Sequence, residues 1–142
     1  MSDPLLSVRE LHTEFDTEAG VVKAVDGASF DVDAGETVCL VGESGSGKTV
    51  ACESITRLIP TDSGAITDGE VRFDGDDLTD LSGSELTEYR GNRIAHVFQN
   101  PQGALDDMYT VGQQIVETVR AHRDLDREAA RAEAIDLLDR VG

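Results

Sequence analysis

Along the first third of the chain, apolar residues recur with the two-residue period of strands. Leu5 to Leu11 reads as one strand, and Val21 to Val25, after a turn at Gly20, as a second. Ala28, Phe30 and Val32 then alternate with polar neighbours, as in a half-buried strand. Asp33-Ala34-Gly35-Glu36 is a turn. Thr37 to Val41 differs: its Val-Cys-Leu-Val is almost continuously apolar, the pattern of a strand buried on both faces. From Val50 the period lengthens, and Ala51, Ile55, Leu58 and Ile59 share a helical stripe that Pro60 ends. Thr61 to Asp68 has the composition of a loop. Glu70 to Phe73, followed by Asp74-Gly75, reads as a strand and a tight turn. Ser82 with Glu85 three residues on predicts a capping box and a short helix to Arg90. Ile94 to Phe98 is strand-like, and Gln99-Asn100-Pro101 breaks it. Two helices are expected, over Val111 to Ala121 and Asp126 to Val141. The second places Ala130, Ala134, Leu137, Leu138 and Val141 on one stripe. Mixed strand and helix periods make this an α/β chain.

At the point where the period changes lies Gly42-Glu43-Ser44-Gly45-Ser46-Gly47-Lys48-Thr49, a full match to G-x-x-x-x-G-K-[ST] between a strand pattern and a helix pattern. Each position has a physical reason. Glycines let the backbone curl so that successive N–H groups point at phosphate oxygens. The helix that follows turns its positive end toward the same charge. Lys48 is a mobile point charge for the outer phosphates, and the Thr49 hydroxyl is a hard oxygen suited to Mg²⁺. In 142 residues a chance match has odds on the order of 1% or less at ordinary residue frequencies. The motif therefore predicts binding of a nucleoside triphosphate.

Charge narrows the setting. Lys plus Arg is 12 against 29 Asp plus Glu, a net charge of −17. Phosphate-backbone binding needs clustered basic residues, so a general nucleic-acid binder is excluded. No apolar run approaches the ~18 residues of a membrane span, and Met1-Ser2-Asp3-Pro4 does not read as the start of a secretory leader. The only lysines are Lys23 and Lys48, and the acidic residues are spread along the chain. That distribution is read as adaptation to a salt-rich cytoplasm: molar salt shortens the Debye length to about 3 Å and removes the self-repulsion. Cys39 and Cys52 show no metal-ligand or C-x-x-C spacing and are expected to be reduced, buried thiols.

Around the phosphate motif stand Ala24-Val25-Asp26-Gly27-Ala28-Ser29-Phe30, Ala34-Gly35-Glu36, Gly69-Glu70-Val71-Arg72-Phe73-Asp74-Gly75 and Ile94-Ala95-His96-Val97-Phe98-Gln99-Asn100-Pro101. Over essentially the whole chain this resembles the ATP-binding subunits of ABC transporters. Glu43 and the segment Phe98 to Leu105 resemble the oligopeptide and dipeptide importer branch. The resemblance implies a P-loop NTPase fold of the ABC nucleotide-binding type. Residues 1–99 would hold an N-terminal antiparallel β segment, the P-loop core and the Q-loop strand, and 100–142 the start of a helical subdomain. It also implies ATP and Mg²⁺. Gly42, Glu43, Ser44, Gly45, Ser46, Gly47, Lys48, Thr49 and Val50 would hold the phosphates, and Phe15 would stack on adenine. Thr49 and Gln99 would reach the metal, and Gln99, as the Q-loop glutamine, would touch the attacking water. A second ATP-binding subunit would complete the site, residues after Gln99 would lead to the membrane permease, and the protein would lie peripherally on the cytoplasmic face of the membrane.

The chain departs from that pattern in two places. Asp106-Asp107 stands where the importer branch has Asn-Pro. After Gln99 there is no L-S-G-G-Q signature and no carboxylate ending an apolar strand, so the chain reads as the N-terminal part of a longer subunit, truncated in the helical subdomain. Leu81-Ser82-Gly83-Ser84-Glu85 imitates the signature but precedes Gln99, and Ser82 is read as a helix cap. His96 is read as a packed histidine within a strand. Two other readings stay open: a truncated ATP-binding module without turnover, and another P-loop enzyme such as a small-molecule kinase. The antiparallel N-terminal strands and Gln99-Asn100-Pro101 weigh against the kinase.

Overall fold

In the computed structural model, which describes residues 3–60 and 62–142, the N-terminal alternation forms two long strands. β1 (Leu6–Thr17) and β2 (Gly20–Val32) are an antiparallel pair, and β2 takes in both segments that Asp26-Gly27 separates in the sequence pattern. β3 (Gly64–Phe73) pairs with the other edge of β1, and the two-residue β4 (Asp76–Asp77) follows the Asp74-Gly75 turn. The sheet order is β2-β1-β3-β4.

β3 starts earlier than its composition suggests. Gly64, Ala65 and Ile66 pair with Phe15, Glu14 and Thr13, so most of the expected loop over 61–68 is strand; Thr61 itself lies outside the described residues. Pairing along an existing strand overrides the weak intrinsic preference of Gly, Ala and Asp. β1 carries a bulge between Val8 and Leu11. There the Glu10 N–H donates to Ser29 Oγ at 2.8 Å, and the Ser29 hydroxyl donates to Glu10 Oε1 at 2.9 Å, which ties the irregular backbone to β2.

Two compact units, Met1–Arg90 and Gly91–Gly142, make up the chain. In the first, Val8, Leu11, Val25, Ala51, Ile59, Val71, Leu78 and Leu86 are buried. Burying a side chain such as Leu78 or Leu86 contributes about 1.5–3 kcal/mol. Helix α1 (Lys48–Ile55) packs on β1 and β2. Its buried Ser54 shares a 2.9 Å hydroxyl–hydroxyl hydrogen bond with buried Thr13 of β1, and the Ser54 hydroxyl also lies 2.7 Å from the Val50 carbonyl. Helix α2 (Gly83–Tyr89) opens with the expected capping box: Glu85 N–H donates to Ser82 Oγ at 3.4 Å and Ser82 N–H to Glu85 Oε2 at 2.7 Å. Hydrogen bonding to its carboxylate from the Ser82 hydroxyl and then the Ser82 N–H holds the Glu85 carboxyl below the ordinary glutamate range.

The second unit begins with a tight turn in which Gly91 N–H donates to the Ile94 carbonyl at 2.9 Å. A short 3₁₀ segment, Pro101–Ala104, follows, and then α3 (Val111–His122) and α4 (Arg127–Val141), each starting within a residue of its expected position. Thr110 and Gln113 form a capping box on α3, and Asp126 caps Ala129 N–H of α4 at 2.8 Å. The two helices pack together, with Val119, Ala130 and Ala134 buried. Leu137, Leu138 and Val141, expected on the same apolar stripe, are exposed.

Two expected strands are absent from the sheet. Thr37 to Val41 lies outside the ladders, and Val38 and Leu40 are exposed, with Val41 93% exposed. Ile94 to Phe98 likewise forms no strand beyond a bridge at Ile94, and Val97 is 96% exposed. An apolar run becomes a buried strand only between neighbours, and no described strand flanks either segment. Cys39 and Cys52 are exposed, not buried as expected: Cys39 lies on that unpaired run, and Cys52 lies on α1 away from the face that buries Ala51 and Ser54. His96 is half-buried and outside any strand, its ring stacked on Phe98 with centroids 6.0 Å apart.

A net charge of −17 spread along the chain makes stability depend on salt. The thermal midpoint should be higher in about 3 M than in about 0.1 M KCl, because screening removes repulsion that ion pairs such as Arg9–Asp31 leave uncompensated. A midpoint unchanged or lower in high salt contradicts it.

Candidate functional site

The strongest chemistry sits where α1 begins. Its N-cap is Gly47, held at φ 86° and ψ 2°, with no side-chain hydrogen bond capping the helix and no acidic residue in the first turn. The first bond into the helix runs from Ala51 N–H to the Gly47 carbonyl at 2.8 Å. The leading N–H groups of a helix have no intrahelical acceptor, and a capping glycine offers none. The positive end of α1 therefore faces the loop ahead of it.

That loop is built around an ammonium. Lys48 Nζ donates to the carbonyls of Gly42 at 3.0 Å and Glu43 at 2.6 Å, and lies 3.2 Å from Ser46 Oγ. Residues 42 to 49 thus close around their own lysine. Ser46 N–H reaches back to the Glu43 carbonyl at 3.3 Å. Gly47 is fixed from behind: a Cβ there would stand 2.1 Å from the Ala24 carbonyl oxygen of β2, and its φ is one that L residues rarely adopt. Strand β2 is a wall against which the loop is folded. A Cβ at Gly42 would meet Ser46 Oγ at 2.7 Å. Thr49 is exposed on the first turn, and Val50 is half-buried behind it.

The structure thus brings Gly42, Glu43, Ser44, Gly45, Ser46, Gly47, Lys48, Thr49 and Val50 into one loop and helix start. Phe15 belongs to the same unit, near the end of β1. It is half-buried, and its ring lies over Gly64, where a Cβ would be 2.6 Å from a ring carbon. Gln99 belongs to the second unit, exposed and just before the 3₁₀ segment.

The supports of α1 leave no pattern in the sequence: the Ala24 carbonyl behind Gly47, the Thr13–Ser54 pair, and two arginines at the far end of the helix. Arg90 Nε donates to the Thr56 carbonyl and Arg90 Nη2 to the Arg57 carbonyl, both at 2.8 Å. Arg57 Nη2 donates to the Leu81 carbonyl. Burial and the nearby Arg90 charge lower the Arg57 pKa from its ordinary value. These contacts join residues far apart in the chain and carry no local pattern.

A donor set of uncapped helix N–H groups, an ammonium and an exposed hydroxyl fits a phosphate chain with a hard divalent cation. Among the described residues no group of three or more His, Cys, Asp or Glu side chains is placed to hold a metal unaided. No described helix is long and apolar enough to cross a membrane.

Comparison with known proteins shows the family to which this chain belongs by similarity of sequence and fold. The family model described as ABC transporter matches residues 25–142. The oligopeptide transport ATP-binding protein OppD of Bacillus subtilis (strain 168) is 43% identical over 138 residues, covering 97% of this chain and 38% of its own length. The dipeptide transport ATP-binding protein DppD of the same organism is 44% identical over 140 residues, covering 99% of this chain and 42% of its own. Among solved structures, an ATP-binding cassette captured as a dimer in a post-hydrolysis state with ADP and Pi superposes with a TM-score of 0.80 at 25% identity, over 94% of this chain and 56% of that one. The chain thus spans about two fifths of the length of these curated relatives.

Proposed function

This chain belongs to the ABC transporter family, and on that premise we propose that it is the ATP-binding part of a subunit that powers import of peptides or similar small solutes. The carrying observation is the loop of residues 42 to 49, closed around Lys48 Nζ at the uncapped start of α1. The peptide branch is supported by the relatives named for oligopeptide and dipeptide transport at 43% and 44% identity.

In this reading the N–H groups of Gly45 to Val50 and the Lys48 ammonium hold the phosphates of ATP. Lys48 exchanges its loop carbonyls for phosphate oxygens, which form stronger charge-assisted bonds. Thr49 Oγ1 and Gln99 supply oxygens for Mg²⁺, which when bound neutralises phosphate charge. Phe15 offers a ring face to adenine, and Gln99 orients water. A second ATP-binding subunit completes the site, and the region after Gln99 meets a membrane permease. The subunit is then peripheral, at the cytoplasmic face of the membrane.

Equilibrium binding of a fluorescent ATP analogue, with Mg²⁺ and with EDTA, tests the site. Removal of Mg²⁺ should weaken binding about tenfold, the effect of losing one charge-assisted contact. Thr49→Ala should abolish most of that difference. Binding indifferent to Mg²⁺, or a Mg²⁺ effect that survives in Thr49→Ala, contradicts the assignment of Thr49.

A further inference from the structure

Helix α1 ends in an unusual way. Leu58 N–H donates to the Glu53 carbonyl at 2.8 Å and Arg57 N–H to the Ser54 carbonyl at 3.0 Å, which is the bonding of a Schellman cap. The left-handed position of that cap normally belongs to glycine. Here it is Arg57, at φ 50°. No basic residue of α1 lies in its last turn to offset the negative end of the helix dipole. Both deficits meet at one side chain. The Arg90 guanidinium forks across the Thr56 and Arg57 carbonyls, the two groups bordering the strained residue, from 34 and 33 residues further along the chain. Thr56 is fully buried and Arg57 and Arg90 are half-buried, so losing the fork leaves a buried carbonyl without this partner.

We propose that Arg90 is a positioning residue for the phosphate loop: by clamping the left-handed end of α1 it fixes the axis of the helix whose other end presents Lys48 and Thr49. The inference deepens the ATP-binding reading and rests on it for its functional consequence. Three contacts then hold the helix: Gly47 against the Ala24 carbonyl, Ser54 against Thr13, and the C-terminal carbonyls against Arg90. The first two bear on the start and middle of α1. Arg90 acts on its end, where it is the guanidinium that bonds the helix carbonyls; the neighbouring Arg57 guanidinium donates instead to the Leu81 carbonyl.

Two measurements on the 142-residue chain test this, both in high KCl where each variant is shown to be folded. The first is amide hydrogen exchange without nucleotide. Arg90→Ala should speed exchange about tenfold or more over residues 48 to 58, leaving β1 and β2 unchanged. Uniform acceleration, or none, overturns the proposal, since a general stabiliser loosens the whole unit. The second is affinity for the fluorescent ATP analogue with Mg²⁺. Arg90→Ala should weaken it about tenfold, and Arg90→Lys, which keeps the charge and one donor, should stay within about threefold of the unsubstituted chain. Equal affinities in all three, or Arg90→Lys no better than Arg90→Ala, overturn it. If the unsubstituted chain does not bind the analogue, the ATP reading fails, and the exchange pattern still decides whether Arg90 positions the helix.

Discussion

The purified 142-residue chain, given Mg-ATP in high KCl, should release phosphate no faster than the protein-free blank. The loop at the start of α1 supplies binding and part of the charge stabilisation. In-line attack on a γ-phosphate also needs an oriented, activated water and a completed metal shell. Within residues 1–142 no carboxylate ends an apolar strand beyond Gln99, and Gln99 is not a base at neutral pH. Groups that act as a unit in catalysis lose orders of magnitude together. A rate near ~1 s⁻¹ that disappears in Lys48→Ala would show a compact P-loop enzyme with a different catalytic set.

Gly47→Ala should disable nucleotide binding while leaving the β1–β2–β3 sheet intact. The new Cβ would stand 2.1 Å from the Ala24 carbonyl, at a φ of +86°. Neither the strand backbone nor the helix start can absorb that, so Lys48 and the leading N–H groups must move off the phosphates. Losing two charge-assisted hydrogen bonds, at about 1.5–3 kcal/mol each, weakens Kd by about a hundredfold or more. Gly45→Ala provides the contrast. Its φ is +80°, but nothing lies within 4 Å of its Cβ. It carries only the left-handed strain of about 1–2 kcal/mol. Analogue titrations with both variants should therefore separate by about tenfold or more. Equal losses would mean that the Ala24 carbonyl does not set the loop.

How far the sequence reaches can be read from these same residues. The phosphate loop is legible because its chemistry needs consecutive backbone N–H groups, which only a contiguous run of residues can supply. Helix starts are legible for the same reason: Ser82 with Glu85 and Asp126 with Ala129 are contacts three residues apart. Strand patterns say something else. They report the environment a segment suits, and Thr37 to Val41 suits a place between two strands that no described residue fills. Gly64 to Ile66 shows the converse, a loop-like composition drawn into a ladder by β1. The exposure of Cys39 follows from its unpaired run. Arg90, Thr13 and Ala24 act on α1 across tens of residues, and no spacing rule within a single sequence connects them to it.

The most direct test of the ATP-binding assignment is a titration of the fluorescent ATP analogue, with Mg²⁺ in high KCl, against the unsubstituted chain and Lys48→Ala. Lys48 Nζ is the centre on which the loop closes. The expected result is saturable one-to-one binding that Lys48→Ala weakens by roughly 1.5–3 kcal/mol, about tenfold to a hundredfold in Kd. Equal affinity of the two proteins, or no saturable binding by the folded unsubstituted chain, would contradict it.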